Sequence, residues 1–176
     1  EFRRVLFRSA GTGKTTFLRT IQQRSTKRMI VVAPTGVAAI NANGVTIHSF
    51  FQLPLSPFVP ESTVKPRFEY SKQKRQIMRT LDLLIIDEIS MVRADILDAI
   101  DSILRRFREH NKPFGGVQLL MIGDLQQLTP IVRPDEEKLL SRYYNTPYFF
   151  DSKALQSTQY VTIELTKVFR QQDKVF

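Results

Sequence analysis

The chain has 176 residues, 42% of them hydrophobic, with no cysteine, a formal charge of +9 and a pI near 10.0. That length and apolar content suit one soluble domain with a core of its own, and the missing thiols exclude a disulfide framework and a thiolate metal site. The basic excess asks for a polyanionic partner, and apolar runs as short as "MIVVA" and "VQLLMI" exclude a membrane span. A cysteine-free chain fits a reducing compartment, and a cytoplasmic location is expected.

The first nine residues, "EFRRVLFRS", carry three arginines against one glutamate; without them 23 basic and 16 acidic residues remain, still +7. The segment resembles the in-frame translation of a sequencing adaptor, and residues 1–9 are expected to be a scar ahead of a domain over residues 10–176. A signal peptide is the competing reading, but arginines interrupt its apolar residues and no long hydrophobic stretch follows. Next comes "AGTGKTT", which ends as a phosphate-binding loop does, although the pattern G-x-x-x-x-G-K-[ST] has its first glycine where Arg8 stands. An arginine at a tight turn is expected to obstruct the loop, partly offset by its attraction for phosphate. The small residues of Ala10, Gly11, Thr12, Gly13, Lys14, Thr15 and Thr16 let backbone N–H groups curl around phosphate oxygens at a helix start. Lys14 is expected to reach the β and γ phosphates of ATP, and the Thr15 hydroxyl to hold Mg²⁺.

A second strand, "MIVVA", runs into "PTGVAAINA", another strand, turn and helix start. Backbone N–H groups and a hydroxyl there suit phosphodiester oxygens, and His48, Phe50 and Phe51 beyond them offer flat faces for a nucleobase. The aromatic pair is more often core, and His48 reads equally as a structural histidine. Four of the nine prolines, Pro54, Pro57, Pro60 and Pro66, fall between Gln52 and Glu69 and mark a surface excursion over about residues 52–70. A basic helix, "YSKQKRQIMRTL", follows it.

The strand "LDLLIID" ends in Asp87-Glu88, 73 residues after Lys14. At the C-terminal edge of a parallel sheet such a pair divides its work: Asp87 holds Mg²⁺ through water, and Glu88 orients and deprotonates the attacking water. The helix "RADILDAIDSILRRF" leads to the strand "VQLLMIGD" and the turn "LQQLTP", where Gln126, ahead of Gln127, is expected to sense the γ-phosphate without adding charge. After the strand "YVTIEL", Arg170 in "LTKVFRQQD" is placed to neutralise charge developing on the transferred phosphoryl group, and the chain stops just after another helix has begun, which suggests truncation. Apolar strands alternating with helices predict an α/β fold, a mostly parallel sheet with helices on both faces.

Together "AGTGKTT", "APTGVAA" with "GVTIHSFF", "LLIIDEISMVRADILDAID", "GDLQQLTP" and "ELTKVFRQQD" resemble, in order, the motifs of the Pif-type DNA helicases, in the RecD-like, five-prime-to-three-prime branch of helicase superfamily one. The resemblance runs from about Ser9 to Phe176 and implies a first RecA-like P-loop NTPase motor domain. It implies nucleotide contacts from Gly11, Gly13, Lys14, Thr15, Gln126 and Arg170, with Asp87 and Glu88 serving Mg²⁺ and hydrolysis. It further implies single-stranded DNA crossing near Pro34, Thr35, Gly36 and His48, with Phe51 as a stacking candidate, and a strand-separating wedge at the Pro-rich excursion. The expected partners are single-stranded DNA and DNA forks, bound by a monomer. The adenine-recognising segment and the second motor domain of that family have no counterpart in these residues, so unwinding by this chain alone is not expected. Two alternatives stand beside this reading: a non-catalytic single-strand-binding module with a decayed phosphate loop, against which the Asp87-Glu88 pair argues, and an AAA-type P-loop ATPase, which "GDLQQLTP" fits less well.

Overall fold

Six short runs rich in Val, Ile and Leu make one sheet, and every pairing in it is parallel. The computed structural model describes residues 3–8, 13–60 and 69–165, with residues 3–8 and 165 described by their backbone. In chain order the elements are β1 (Arg3–Arg8), α1 (Lys14–Arg24), β2 (Met29–Ala33), α2 (Gly36–Asn41), β3 (Val45–Thr46), α3 (Ile47–Phe51) and α4 (Lys72–Thr80). They continue with β4 (Leu83–Ile86), α5 (Ala94–Phe107), β5 (Gln118–Gly123), α6 (Pro134–Leu140), α7 (Lys153–Gln156) and β6 (Tyr160–Leu165).

The strand order is β3-β2-β4-β5-β1-β6, so the chain leaves β1, crosses two strands to β2, and later returns. Parallel neighbours need crossover connections, and right-handed crossovers put α1 and α2 on one face and α3 to α7 on the other. Two cores follow. Leu18 of α1 and Ala42 pack with Val31, Leu83, Ile85, Leu120 and Ile122. On the opposite face Leu97, Ile100 and Leu104 of α5 pack with Leu84, Ile86, Leu119 and Met121, joined by Phe51, Phe114 and Phe149. Leu83 to Ile86 are all buried, as expected of an interior strand covered on both sides.

Strand β1 is drawn from the segment read as adaptor-derived, paired between β5 and β6. An interior parallel strand asks only for a short β-forming run, and "VLF" supplies one. Arg8 is the last residue of that strand, in register with Leu165. Its backbone is therefore extended rather than tightly turned, which corrects the expectation that an arginine there obstructs a turn, since any residue adopts extended backbone. The Pro-rich excursion is also more firmly docked than a pure surface loop: Val59 is buried with Ala94, Leu140 and Tyr144, and the Phe58 N–H donates to the Asp95 carboxylate at 2.9 Å. Residues 61–68, with Pro66, lie outside the described residues. Among the described residues no helix is long and apolar enough to cross a membrane.

Candidate nucleotide and nucleic-acid site

The C-terminal edge of the sheet gathers the functional candidates. Gly13 adopts a left-handed conformation, φ 81°, immediately before α1, a geometry that glycine reaches without steric cost. Lys14 is the first residue of that helix, and its Nζ is buried with no hydrogen-bond partner among the described residues. An ammonium group without a hydrogen-bond acceptor at a helix N-terminus is unfavourably placed, because burial removes water and the helix end is itself positive, and the nearby Asp87 charge offsets part of this.

Opposite it stands the turn after β4. Asp87 continues the ladder by donating its N–H to the Val32 carbonyl at 2.9 Å, and Glu88 then turns left-handed at φ 50°, ψ 45°. A non-glycine residue there stores roughly 1–2 kcal/mol of strain. Two bonds hold it: the Glu88 N–H donates to Asp87 Oδ1 at 3.0 Å, and the Met91 N–H donates to the Glu88 carbonyl at 3.0 Å. The adjacent strand end must be a glycine, since a Cβ on Gly123 would lie 2.7 Å from Ile89 Cγ2. Burial raises the Asp87 pKa; the hydrogen bond from Glu88 opposes the shift, the Glu88 charge reinforces it, and the Lys14 charge opposes it.

A cleft of about 390 Å³ lies between the first turns of α1, the α2 region and the turn after β4, within the size range of small-ligand sites. Thr15 and Leu18 of α1, Thr35, Val37, Ala38 and Asn41 around α2, Asp87, Glu88, Met91, Gln127 and Leu128 contribute to its walls. Gln127 lines it and Gln126 does not, which corrects the preference for Gln126; both residues are exposed, and the turn that carries them is tied by the Gln126 N–H donating to Asp124 Oδ1 at 2.9 Å. Thr16 is exposed on the first turn of α1. Ala10, Gly11, Thr12 and Arg170 lie outside the described residues.

A second groove shares Thr35 and Met91 with the first and adds Pro34, Ile47, His48, Leu55, Arg93 and Ile131. Thr35 caps α2 by accepting the Ala38 N–H at 3.2 Å, and Gly36 has open space around it. Burial, then the Arg93 charge, lowers the His48 pKa against a smaller opposing effect of Asp95, so the ring is neutral at physiological pH and offers a donor and an acceptor rather than charge. Phe51 is a correction: it is fully buried, packed edge-on against Phe50 with centroids 4.8 Å apart, and has no face to present to a base. Its position on the inner side of α3, under the carbonyl that accepts the Tyr70 hydroxyl at 2.5 Å, makes it core.

Sequence reasoning missed two features of this region. Asp124 is buried just after Gly123 and organises the turn to Gln127; an acid following a strand-ending glycine was the available signal. Arg93 was not foreseen because Glu136, the partner that closes its network, lies 43 positions away. It bonds Asp95 at 2.8 Å and Glu136 at 2.9 Å, all three nearly enclosed. Burial opposes its charge, but Asp95 and then Glu136 more than offset that and raise its pKa.

Among the described residues no group of three or more His, Cys, Asp or Glu side chains converges, so a Mg²⁺ here would take most of its oxygens from phosphate and water, as that ion commonly does. The half-buried Asp87 carboxylate and the unpaired Lys14 ammonium fit a magnesium–triphosphate ligand, one offering oxygen to the cation and the other a proton donor to phosphate.

Known proteins share this arrangement. A Bacteroides Pif1 crystal structure with bound ssDNA superposes with a TM-score of 0.93 at 46% identity, covering 98% of this chain and 40% of that one. A Bacteroides Pif1 helicase in complex with ADP-AlF3 and ssDNA gives the same values. The ATP-dependent DNA helicase RRM3 of Saccharomyces cerevisiae is 38% identical over 170 residues, 94% of this chain. The Homo sapiens ATP-dependent DNA helicase PIF1 is 38% identical over 175 residues, 96% of this chain. This chain spans only 22% and 25% of those two relatives. The family model described as PIF1-like helicase matches residues 4–175, and with a RecA-like parallel sheet carrying its motifs in order, the chain belongs to the PIF1-like helicase family.

Proposed function

We propose that this chain is the first RecA-like motor domain of an ATP-dependent DNA helicase that unwinds in the five-prime-to-three-prime direction, with residues 1–9 adaptor-derived. The observation that carries the proposal is the buried, unpartnered Lys14 ammonium beside a carboxylate pair. Such a group gains hydrogen bonds when an anion joins it, and triphosphate is the anion that a helix start of this kind accommodates. Exposed Val37 and Leu128 at the mouth of the cleft, 72% and 67% accessible, support a reading in which a further domain of the parent closes over the nucleotide.

In this mechanism Lys14 donates hydrogen bonds to the β and γ phosphates, while Thr15 and Asp87 would hold the metal. Bound Mg²⁺ would supply charge neutralisation across the phosphates. Glu88, held by its strained turn at the cleft wall, aligns a water with the γ-phosphorus and accepts its proton as the new P–O bond forms and the bond to the leaving ADP oxygen breaks. Gln127 is better placed than Gln126 to report the loss of γ-phosphate, and Arg170 supplies the transition-state guanidinium. Single-stranded DNA of a fork runs along the second groove past Pro34, Thr35, Gly36 and neutral His48. Because Thr35 and Met91 belong to both walls, closure around nucleotide shifts the DNA groove. The working unit is taken to be a monomer.

Equilibrium binding of a fluorescent ATP analogue in Mg²⁺ tests this. Lys14→Ala should weaken binding by at least about tenfold, as loss of charge-assisted hydrogen bonds requires. Glu88→Gln should bind as the parent chain does. Equal affinity in the Lys14 variant would remove the nucleotide reading, and unwinding by this chain alone would remove the half-motor reading.

A further inference from the structure

Helix α4 carries a charge pattern that its own stability disfavours. Its nine residues, KQKRQIMRT, contain four cations and no acid. Lys72, Arg75 and Arg79 recur at i, i+3 and i+7, which places them along one side, and like charges at these spacings repel. Lys72 and Lys74 also sit in the first turn, where the helix end is positive and acidic residues would be favoured. None of Lys72, Arg75 and Arg79 has an ion-pair partner among the described residues. Arg108 adds a fifth charge at the far end, its guanidinium donating to the Arg79 carbonyl at 2.6 Å and the Gly115 carbonyl at 3.2 Å, bonds that fix its position without neutralising it. Arg79 in the last turn suits the helix dipole, but the first-turn cations and the mutual repulsion do not, and an anionic ligand would relieve both.

The helix is tied to the candidate DNA groove. Lys74 Nζ donates to the Ser49 carbonyl at 2.9 Å and lies 5.6 Å from the centre of the Phe50 ring, which pins the start of α4 to α3, the helix carrying His48. The row of cations therefore begins one helix away from that groove.

We infer that the outer side of α4, through Lys72, Arg75 and Arg79 with Arg108 at its end, binds the phosphodiester backbone of duplex DNA beside the single-strand groove. The inference rests on the DNA-binding reading above and adds a second, duplex-specific surface to it. Charge complementarity selects the backbone, and the composition of α4 selects the duplex: it has no aromatic residue on which an unpaired base could stack, the feature that single-strand platforms depend on. Contacts of this type hold and orient a duplex without reading its sequence.

The test compares the parent chain with a Lys72→Gln, Arg75→Gln, Arg79→Gln variant, and with a control of equal charge loss, Lys27→Gln, Lys138→Gln, Arg142→Gln, all exposed residues elsewhere. Fluorescence anisotropy is read against a blunt hairpin duplex and a single-stranded oligonucleotide over a salt series. The α4 variant should bind duplex at least about tenfold more weakly at low salt, and the slope of log affinity against log salt should shrink by about one per lost phosphate contact. Single-strand affinity and the control's duplex affinity should match the parent chain, and thermal melting should show a fold at least as stable, because repulsion has been removed. Unchanged duplex affinity and slope, an equal loss in the control, an equal or larger loss of single-strand binding, or displacement of duplex by poly-glutamate as readily as by unlabelled duplex would each overturn the assignment. Retained duplex binding through α4 with no single-strand binding would instead contradict the groove reading and leave this one standing.

Discussion

Two charged regions of this molecule, separated by one short turn, treat burial in opposite ways. Beside the proposed nucleotide cleft the Lys14 Nζ is enclosed without a hydrogen-bond partner among the described residues, burial raises the Asp87 pKa, and Glu88 is held at φ 50°. Just past that turn, Arg93 is enclosed with two carboxylates, Asp95 also accepts the Phe58 N–H, and Asp98 accepts bonds from Tyr144, Ser152, Lys153 and Ala154. Burial and then Asp98 raise the Tyr144 pKa, so its hydroxyl stays a donor to that carboxylate. The difference separates function from structure: charges satisfied within the chain hold the fold, and charges left unsatisfied await something from outside it.

The comparison breaks most visibly at Arg93. Arg93→Ala leaves Asp95 and Glu136 enclosed without their cation and frees the anchor of the excursion, and should lower unfolding free energy by about 3–5 kcal/mol in urea titration. A loss under about 1 kcal/mol would show that the enclosed network is not structural.

At the cleft the sign reverses and the effects are smaller. Asp87→Asn should raise stability at neutral pH in the absence of metal and nucleotide. A carboxyl whose folded pKa lies above its unfolded value favours the native state fully below the unfolded pKa, near 3.9, and that advantage is lost as pH rises through the folded pKa. The gain from Asp87→Asn should therefore fade as pH falls into the ordinary carboxylate range, and denaturant midpoints across that range would show it. A gain independent of pH would assign the effect to packing instead.

The two regions were also unequally legible in the sequence. "AGTGKTT", the Asp87-Glu88 pair and the alternating strands sufficed for the parallel sheet and the cleft, because phosphate loops and strand-end carboxylates are local patterns. The aromatic pair misled at Phe51, since a two-residue aromatic run does not say which side of a five-residue helix faces the sheet. The sequence does not separate Gln126 from Gln127, because adjacent residues of one turn differ only in which of them meets the cleft, and Gln127 does. The Arg93, Asp95 and Glu136 network was invisible: Glu136 lies 43 positions from Arg93, and no local spacing links them. Short helices α6 and α7, set by caps and tertiary bonds rather than long periodic patterns, were missed for the same reason.

The central claim is that the cleft gives up stability in order to hold a triphosphate, and one substitution measures both halves of it. Lys14→Met keeps the length of the side chain and removes its charge, so the ligand-free protein should become more stable by about 1 kcal/mol while binding of Mg²⁺-ATP is lost. A melting temperature that rises as nucleotide affinity disappears is the predicted result. A variant that is less stable and still binds ATP as before would show that Lys14 is a structural residue and that the cleft is not the nucleotide site.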